Sequence, residues 1–458
     1  MENDVDIYQL ATHGFNNLNK FESTLKCAEL FFGVSEYLNI EIEENSIKNI
    51  EKGSDEGVSI RAIGRNGSLG FSFTNRLNNQ SIDLMVENSI KMMRSGTKDS
   101  EFIDIPQPID SYPKVKDLYD ENVQSLTIDD SIDYVTELIR ICDEDEMAIS
   151  QSANFAASTS KNIILNTNGV KVEGEETICS VSSHIIVKDK LKDRTSNGFE
   201  YQSERFLKNI NPTLVINTAL NKAKQNLNRI KIKSMRSPII LTPRGVISLI
   251  LKPIASAINA EAFQYKRTFL VDKRNEKIGS DLITIEDNGL INGAVGSANF
   301  DAEGVPCQNT KIIDNGVFLN QGLLHNSYTA GKEGVESTGN ASRQSYSSTP
   351  SIGISNFILS PGKIGKNELI EDIKEGILLD YTGDRPNLST GDFSGLILHG
   401  NIIENGEIGP ALNETMIGIN LLELFKKIEH VSSEYKTYGS YQAPYLQVND
   451  IQIIGSHN

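Results

Sequence analysis

Histidines and cysteines, the commonest zinc ligands, number only six and four in this 458-residue chain, and they are scattered. Its histidines are His13, His184, His325, His399, His430 and His457, and no two stand at a ligand spacing. His325 with Asp301 and Glu303, on a preceding strand pair, is one candidate cluster for a cation. Asp384, Asp392 and His399, around a glycine-rich loop, are a second. Histidines satisfied by their neighbours or by solvent account for both, so neither is taken as a ligand set. Asp384 and Asp392 could instead be paired carboxylates for acid–base hydrolysis. Gly383 and Gly391 beside them are explained more simply by tight turns. The stretch Ser389–Ser394 is short of large side chains, and Gly391, Asp392, Phe393 and Ser394 are its candidate contacts for a peptide backbone. No GxSxG elbow supports a serine nucleophile. Gly64-Arg65-Asn66-Gly67 lacks the lysine and helix of a phosphate cradle. Cys27, Cys142, Cys179 and Cys307 form no CxxC, so neither disulfides nor zinc knuckles are expected.

The elements that must position these groups fall into two parts. Residues 14–33 carry Phe15, Leu18, Phe21, Leu25, Ala28 and Phe32 at helical spacing, with Cys27 in the same stripe. Strand-like runs follow at Tyr37–Ile42, Ser46–Lys52, Val58–Gly64 and Ser68–Phe73, with Asn66-Gly67 as a type I′ hairpin turn. Helical periodicity returns at Ile82–Met93, Asp129–Cys142 and Pro212–Leu227, and strands occupy Ala148–Val187 with a corner at Asn168-Gly169. Past a boundary near Lys233-Ser234, a strand at Pro238–Leu241 leads to a helix at Pro243–Ala262. Thr242 is its cap and Pro243 its first residue. That helix is apolar on nearly every side, which places it inside a core. The rest is β-rich, with turns at Asn288-Gly289, Asn292-Gly293, Asn315-Gly316 and Asn405-Gly406, and helix only at Glu368–Gly376 and Asn420–Ile428. The expected class is α+β. An N-terminal α/β domain of sheet and helices spans residues 1–233, and a β-rich domain wrapped around the central helix spans 234–458.

Composition narrows the partners. A hydrophobic content of 38% and a mean hydropathy of −0.29 suit a globular chain. The apolar run of the central helix is interrupted by Lys252 and Pro253, short of the ~20 residues that span a bilayer. The start MENDVDIYQL has neither the basic nor the apolar stretch of a secretory signal, so a cytoplasmic location is expected. A net charge of −17 argues against nucleic acid and anionic membranes as partners. Acidic runs such as Asp143-Glu144-Asp145-Glu146 read as solvated faces.

Several blocks, in order, resemble the TldD/PmbA family. They are Phe300-Asp301-Ala302-Glu303-Gly304-Val305 followed by Ile312-Ile313-Asp314-Asn315-Gly316, then Ser327-Tyr328-Thr329-Ala330, Glu336-Ser337-Thr338-Gly339-Asn340-Ala341, Thr382-Gly383-Asp384, Ser389–Ser394 and Ile403–Ile408. The N-terminal order Glu43-Glu44, Ile47, Ile50-Glu51, Gly57-Val58, Arg61, Gly70-Phe71 is also similar to the family's first domain. In TldD-type members the central helix bears HExxxH, two histidines for zinc and a glutamate that activates water. In the register anchored on Thr268-Phe269-Leu270, those six positions hold Leu251, Lys252, Pro253, Ile254, Ala255 and Ser256. A cysteine near the C-terminus is the third ligand in that type, but here the last cysteine is Cys307 and Tyr435–Tyr441 offers none. An ammonium at Lys252 would repel a dication.

The resemblance therefore implies a PmbA/TldE-like chain with no catalytic residue and no metal of its own. Zinc is expected in a TldD-like partner subunit, in a heterodimer that clips unfolded peptides inside an enclosed cavity. Extended substrate would be held by addition to a sheet edge. The family is also named for modulation of DNA gyrase, and the net charge turns that link toward a protein target rather than DNA. Two other readings stay open: a hydrolase with a divergent site of its own, and a homodimeric peptide-holding module without protease activity.

Overall fold

The computed structural model of the chain describes residues 6–456. It is an α+β protein with two main sheets. The first has six strands: β1 (Leu25–Glu43), β2 (Ser46–Gly64), β3 (Leu69–Thr74), β4 (Ala148–Asn166), β5 (Lys171–Asp189) and β6 (Arg194–Glu204). Their order is β3-β2-β1-β4-β5-β6, all antiparallel. Helices α1 (Ile7–Leu18) and α2 (Asn79–Ser95) cover the end near β3, burying Leu10, Ile82, Met85 and Ile90 against Leu30, Phe32 and Ile60. A short α3 (Glu121–Gln124), then α4 (Ile128–Asp143) and α5 (Pro212–Gln225), cover the other end. Asp6, Asn78, Thr127 and Asn211 cap α1, α2, α4 and α5, each side chain accepting from a backbone N–H of the first turn.

The expected helix over 14–33 is a correction. Helix α1 ends at Leu18, and from Leu25 the chain is strand. Cys27–Phe32 is buried on both faces of the sheet, so apolar residues fall at consecutive positions and imitate helical spacing. Pairing with β2 and β4 decides the matter. The runs Ser46–Lys52 and Val58–Gly64 are likewise one strand, β2. The Asn66-Gly67 turn is not type I′, since only Gly67 has positive φ, 79°. Gly67 N–H donates to Gly64 O at 2.8 Å and Gly64 N–H to Ser68 O at 2.9 Å, a type I turn closed by a left-handed glycine. Two-residue turns with positive φ at both centres occur at Glu44-Asn45, Asn315-Gly316 and Asn405-Gly406.

The second sheet forms mainly from Met235 onward, but Arg229–Ile230, upstream of residue 233, already pairs within it. Strands Met235–Leu241, Glu375–Thr382, Asp392–Glu404, Met416–Asn420 and Tyr441–Ile454 pair in a closed ring. Strand Ile428–Tyr438 forms a hairpin with Tyr441–Ile454. The central helix runs Pro243–Ala257 and is followed, after Ile258-Asn259, by a short separate helix Ala260–Gln264. Val246, Ile247, Leu249, Ile250, Leu251, Ile254 and Ala257 pack with Leu241, Leu379, Phe357 and Leu446. Each large aliphatic chain buried there contributes about 1.5–3 kcal/mol. A helix at Ser327–Glu333 adds to those expected in this half, and Phe300–Val305 is a loop carrying a single bridge, Phe300 to Pro306, rather than a strand. No helix among the described residues is long and apolar enough to cross a membrane.

Candidate functional site

The central helix begins as its sequence dictates. Thr242 Oγ1 accepts the Gly245 N–H at 3.2 Å and donates to Asp380 Oδ1 at 2.6 Å. Gly245 is required, because a Cβ there would meet the Leu379 carbonyl at 2.5 Å. Pro253 then shapes the middle. Having no N–H, it cannot bond the Leu249 carbonyl, and the ladder widens to a π turn over Ile247–Leu251 in which Lys252 N–H reaches Ile247 O.

That local geometry separates the three positions marked by the family motif. Leu251 is fully buried in the core. Lys252 faces solvent, its Nζ 5.9 Å from the Tyr441 ring. Ser256, also exposed, donates to the Lys252 carbonyl at 3.1 Å. Partial desolvation, then the cations Arg385 and Arg244, lower the Lys252 ammonium from its usual range. An alkyl chain, an ammonium and a backbone-bonded hydroxyl do not fit zinc, whose protein ligands are imidazole, thiolate and carboxylate. Opposite them, Tyr435–Tyr441 forms the end of a hairpin whose tip is Gly439-Ser440.

The other candidates are dispersed. Asp301 Oδ1 accepts the N–H groups of Glu303 and Val305, and its Oδ2 that of Ala341, each at 2.9 Å. Glu303 turns to Arg61 and to the Ser327 N–H. His325 instead meets Thr329 and, at 3.8 Å, Glu333. Asp384 accepts the Leu396 N–H and Asp392 the Asn420 amide, while His399 pairs with Asn226 at 2.8 Å. Neither proposed set converges, and among the described residues no group of three or more His, Cys, Asp or Glu could hold a metal ion. His457 lies outside the described residues. In the glycine-rich loop, Gly391 has φ 77° and Phe393 is buried in the core. Asp392 and Ser394 are exposed on the strand that pairs with Met416–Asn420.

Two polar clusters were missed in the sequence. Behind the helix start, Asp380 lies 3.4 Å from Lys222 and 3.7 Å from Arg244. Burial opposes its charge, but those cations hold its carboxyl below the usual range. Lys222 also meets Glu200 at 3.1 Å, and Arg244 stacks over Tyr381 at 4.8 Å. Burial and Arg244 push the neighbouring His399 imidazole down to about 4. The second cluster links the first sheet to loops of the second half. Arg61 lies 2.9 Å from Glu29 and 2.6 Å from Glu303, and Arg343 pairs with the other oxygen of Glu29. A glutamate inside the apolar run Leu25–Phe32 was the available signal. Beside this cluster a cavity of about 430 Å³ lies between the open face of the first sheet (Phe31, Asn162, Gly174) and the loops at Phe300, Asn340 and Tyr346.

Sequence comparison matches the same framework. The models for PmbA/TldA metallopeptidase domain 1, central domain and C-terminal domain match residues 28–93, 121–227 and 234–455. The chain belongs to the PmbA/TldD family. A metalloprotease of Methanocaldococcus jannaschii is 27% identical over 92% of this chain and 93% of its own. A metalloprotease PmbA homolog of Buchnera aphidicola is 26% identical over 98% and 99%. Among solved structures, TldE from Thermococcus kodakarensis has the same fold, with TM-score 0.85, 23% identity, and coverage of 96% of this chain and 100% of that one.

Proposed function

We propose that this chain is the non-catalytic, PmbA/TldE-like subunit of a two-component metallopeptidase that acts on unfolded peptides in the cytoplasm. The observation that carries the reading is a family helix folded in full with Leu251, Lys252 and Ser256 at the motif positions. The likeness in fold to a protein named TldE agrees with it. On this reading the zinc belongs to a TldD-like partner, and this chain closes the chamber and helps to hold extended substrate. Gly391, Asp392, Phe393 and Ser394 remain its candidate peptide contacts, through Asp392 and Ser394 on the exposed side of the strand. Four free, buried cysteines suit a reducing compartment.

The test is an assay of an unfolded substrate such as casein, with the purified chain alone and then with a TldD-like protein from the same genome. Turnover should need both chains, and the chain by itself should hold no stoichiometric zinc. Turnover by this chain alone, abolished by Asp392→Ala, would favour a divergent hydrolase. Peptide binding without any productive partner would favour a stand-alone holding module.

A further inference from the structure

The cavity of about 430 Å³ beside the Glu29–Arg61 cluster falls within the size range of small-ligand sites, about 300–1,000 Å³. Its ionisable lining is four carboxylates, Asp55, Glu175, Glu176 and Asp301, against two guanidiniums, Arg205 and Arg343. Neither guanidinium is free for a ligand. Arg205, 1% exposed, donates to Glu176 at 2.7 Å and to the carbonyls of Ala294, Val295 and Ser297. Arg343 donates to Glu29 and to the carbonyls of Ala302 and Ser348. Asp55, on the exposed side of the lining, has no ion-pair partner among the described residues, and its carboxylate accepts only the Tyr346 hydroxyl, at 2.9 Å. Asn340, also in the wall, is 4% exposed. Its Nδ2 donates to Asp287 Oδ2 at 2.7 Å and to the Gly353 carbonyl at 3.0 Å, while its Oδ1 is buried with no partner among the described residues. Turning the amide round would set Oδ1 against the Gly353 carbonyl. An unmet buried acceptor is costly, so this oxygen calls for a donor.

We infer that this cavity takes a cationic side chain of an extended peptide, with Asn340 Oδ1 and the Asp55 carboxylate as the groups that meet its charge. An anion is opposed by the excess of carboxylates and finds no uncommitted cation in the lining. An apolar side chain leaves Asn340 Oδ1 unmet, and a neutral donor gains nothing from Asp55. An ammonium gives Oδ1 a charge-assisted bond, and its alkyl stem packs on the rings of Phe300 and Tyr346. Glycines in the first sheet leave room for both rings: a Cβ at Gly174 would meet Phe300 at 3.0 Å, and one at Gly57 would meet Tyr346 at 2.4 Å. The inference rests on the peptide-holding role proposed above and adds to it a preference for a basic residue.

The experiment places lysine, glutamine, norleucine or glutamate at one position of a labelled unfolded peptide and measures fluorescence anisotropy with the full chain. The lysine peptide should bind at least about tenfold more tightly than each of the others, the worth of one hydrogen bond to a charged group. Asp55→Asn, on an exposed side chain, should cut that preference by about threefold. Asn340→Leu should remove it, with far-UV circular dichroism unchanged; if that variant does not fold, Asp55→Asn decides alone. Equal affinity across the peptides would mean that water alone meets Asn340, and would overturn the inference. So would tighter binding of the glutamine peptide, no binding of any peptide, or a lysine preference untouched in Asp55→Asn. Binding of n-butylammonium without discrimination among the peptides would assign the cavity to a free amine and overturn the peptide side chain. Should the preference be missing while turnover still needs both chains, the cationic pocket falls and the subunit reading stands.

Discussion

Arg61 Nη2 lies 2.6 Å from Glu303 Oε1, a buried ion pair joining strand β2 of the first sheet to the Asp301–Val305 loop of the second half. Glu29, opposite Arg61 in the β1–β2 register, carries the network on to Arg343. Burial works against the Arg61 charge, but Glu29 and Glu303 outweigh it and hold the guanidinium protonated. Removing one member of such a set leaves an uncompensated buried charge. Arg61→Met should lower the unfolding free energy by about 3–5 kcal/mol, read from urea denaturation. A loss below about 1 kcal/mol would mean that water reaches the cluster.

Asp287 gives a pH dependence of defined sign. Burial raises its carboxyl from the ordinary 3.8 to about 7, against hydrogen bonds from Asn340 and Ser355. The folded state therefore binds more protons than the unfolded one, and this contribution to stability is lost as pH rises from about 4 to 7. Asp287→Asn should flatten that part of the profile, measured as urea midpoints at pH 5 and 7.5. An unchanged difference between the two midpoints would remove Asp287 as its source.

His399 acts in the opposite direction. Its imidazole is held near 4 rather than 6.5, by burial first and then by Arg244. The unfolded chain takes up a proton on acidification through 6.5 while the folded one does not, so stability falls from about pH 6.5 to 4. His399→Gln should abolish this share of the acid sensitivity in thermal melts between pH 4.5 and 7. Identical slopes for the two proteins would count against it.

The loop at Gly391 should separate structural from contacting residues. A side chain at Gly391 would be strained at φ 77° and would sit 3.3 Å from Phe269, so Gly391→Ala should cost about 1–2 kcal/mol. Phe393→Ala empties core volume and should cost about 3–5 kcal/mol. Asp392→Ala, on an exposed side chain, should change stability by about 0.5 kcal/mol or less. If Asp392 contacts peptide, the same variant weakens binding of an unfolded peptide without moving the melting temperature. Unchanged affinity would leave Asp392 with its bond to Asn420 and no further part.

What the sequence determined by itself was local. The cap at Thr242, the proline that opens the central helix, and the Asn-Gly corners at 315 and 405 are set by neighbouring backbone groups. They folded where the residues placed them. The lack of any donor at Leu251, Lys252 and Ser256 is also fixed by residue type. Tertiary structure decided the rest. Leu25–Phe32 carries apolar residues that would serve a helix or a strand buried on both faces, and only partners at residues 58–64 and 163–166 choose between them. Glu29, Arg61, Glu303 and Arg343 lie up to 314 positions apart. A buried charge is tolerable only once its counter-charge arrives, so no short window of sequence could have shown that these four residues form one cluster.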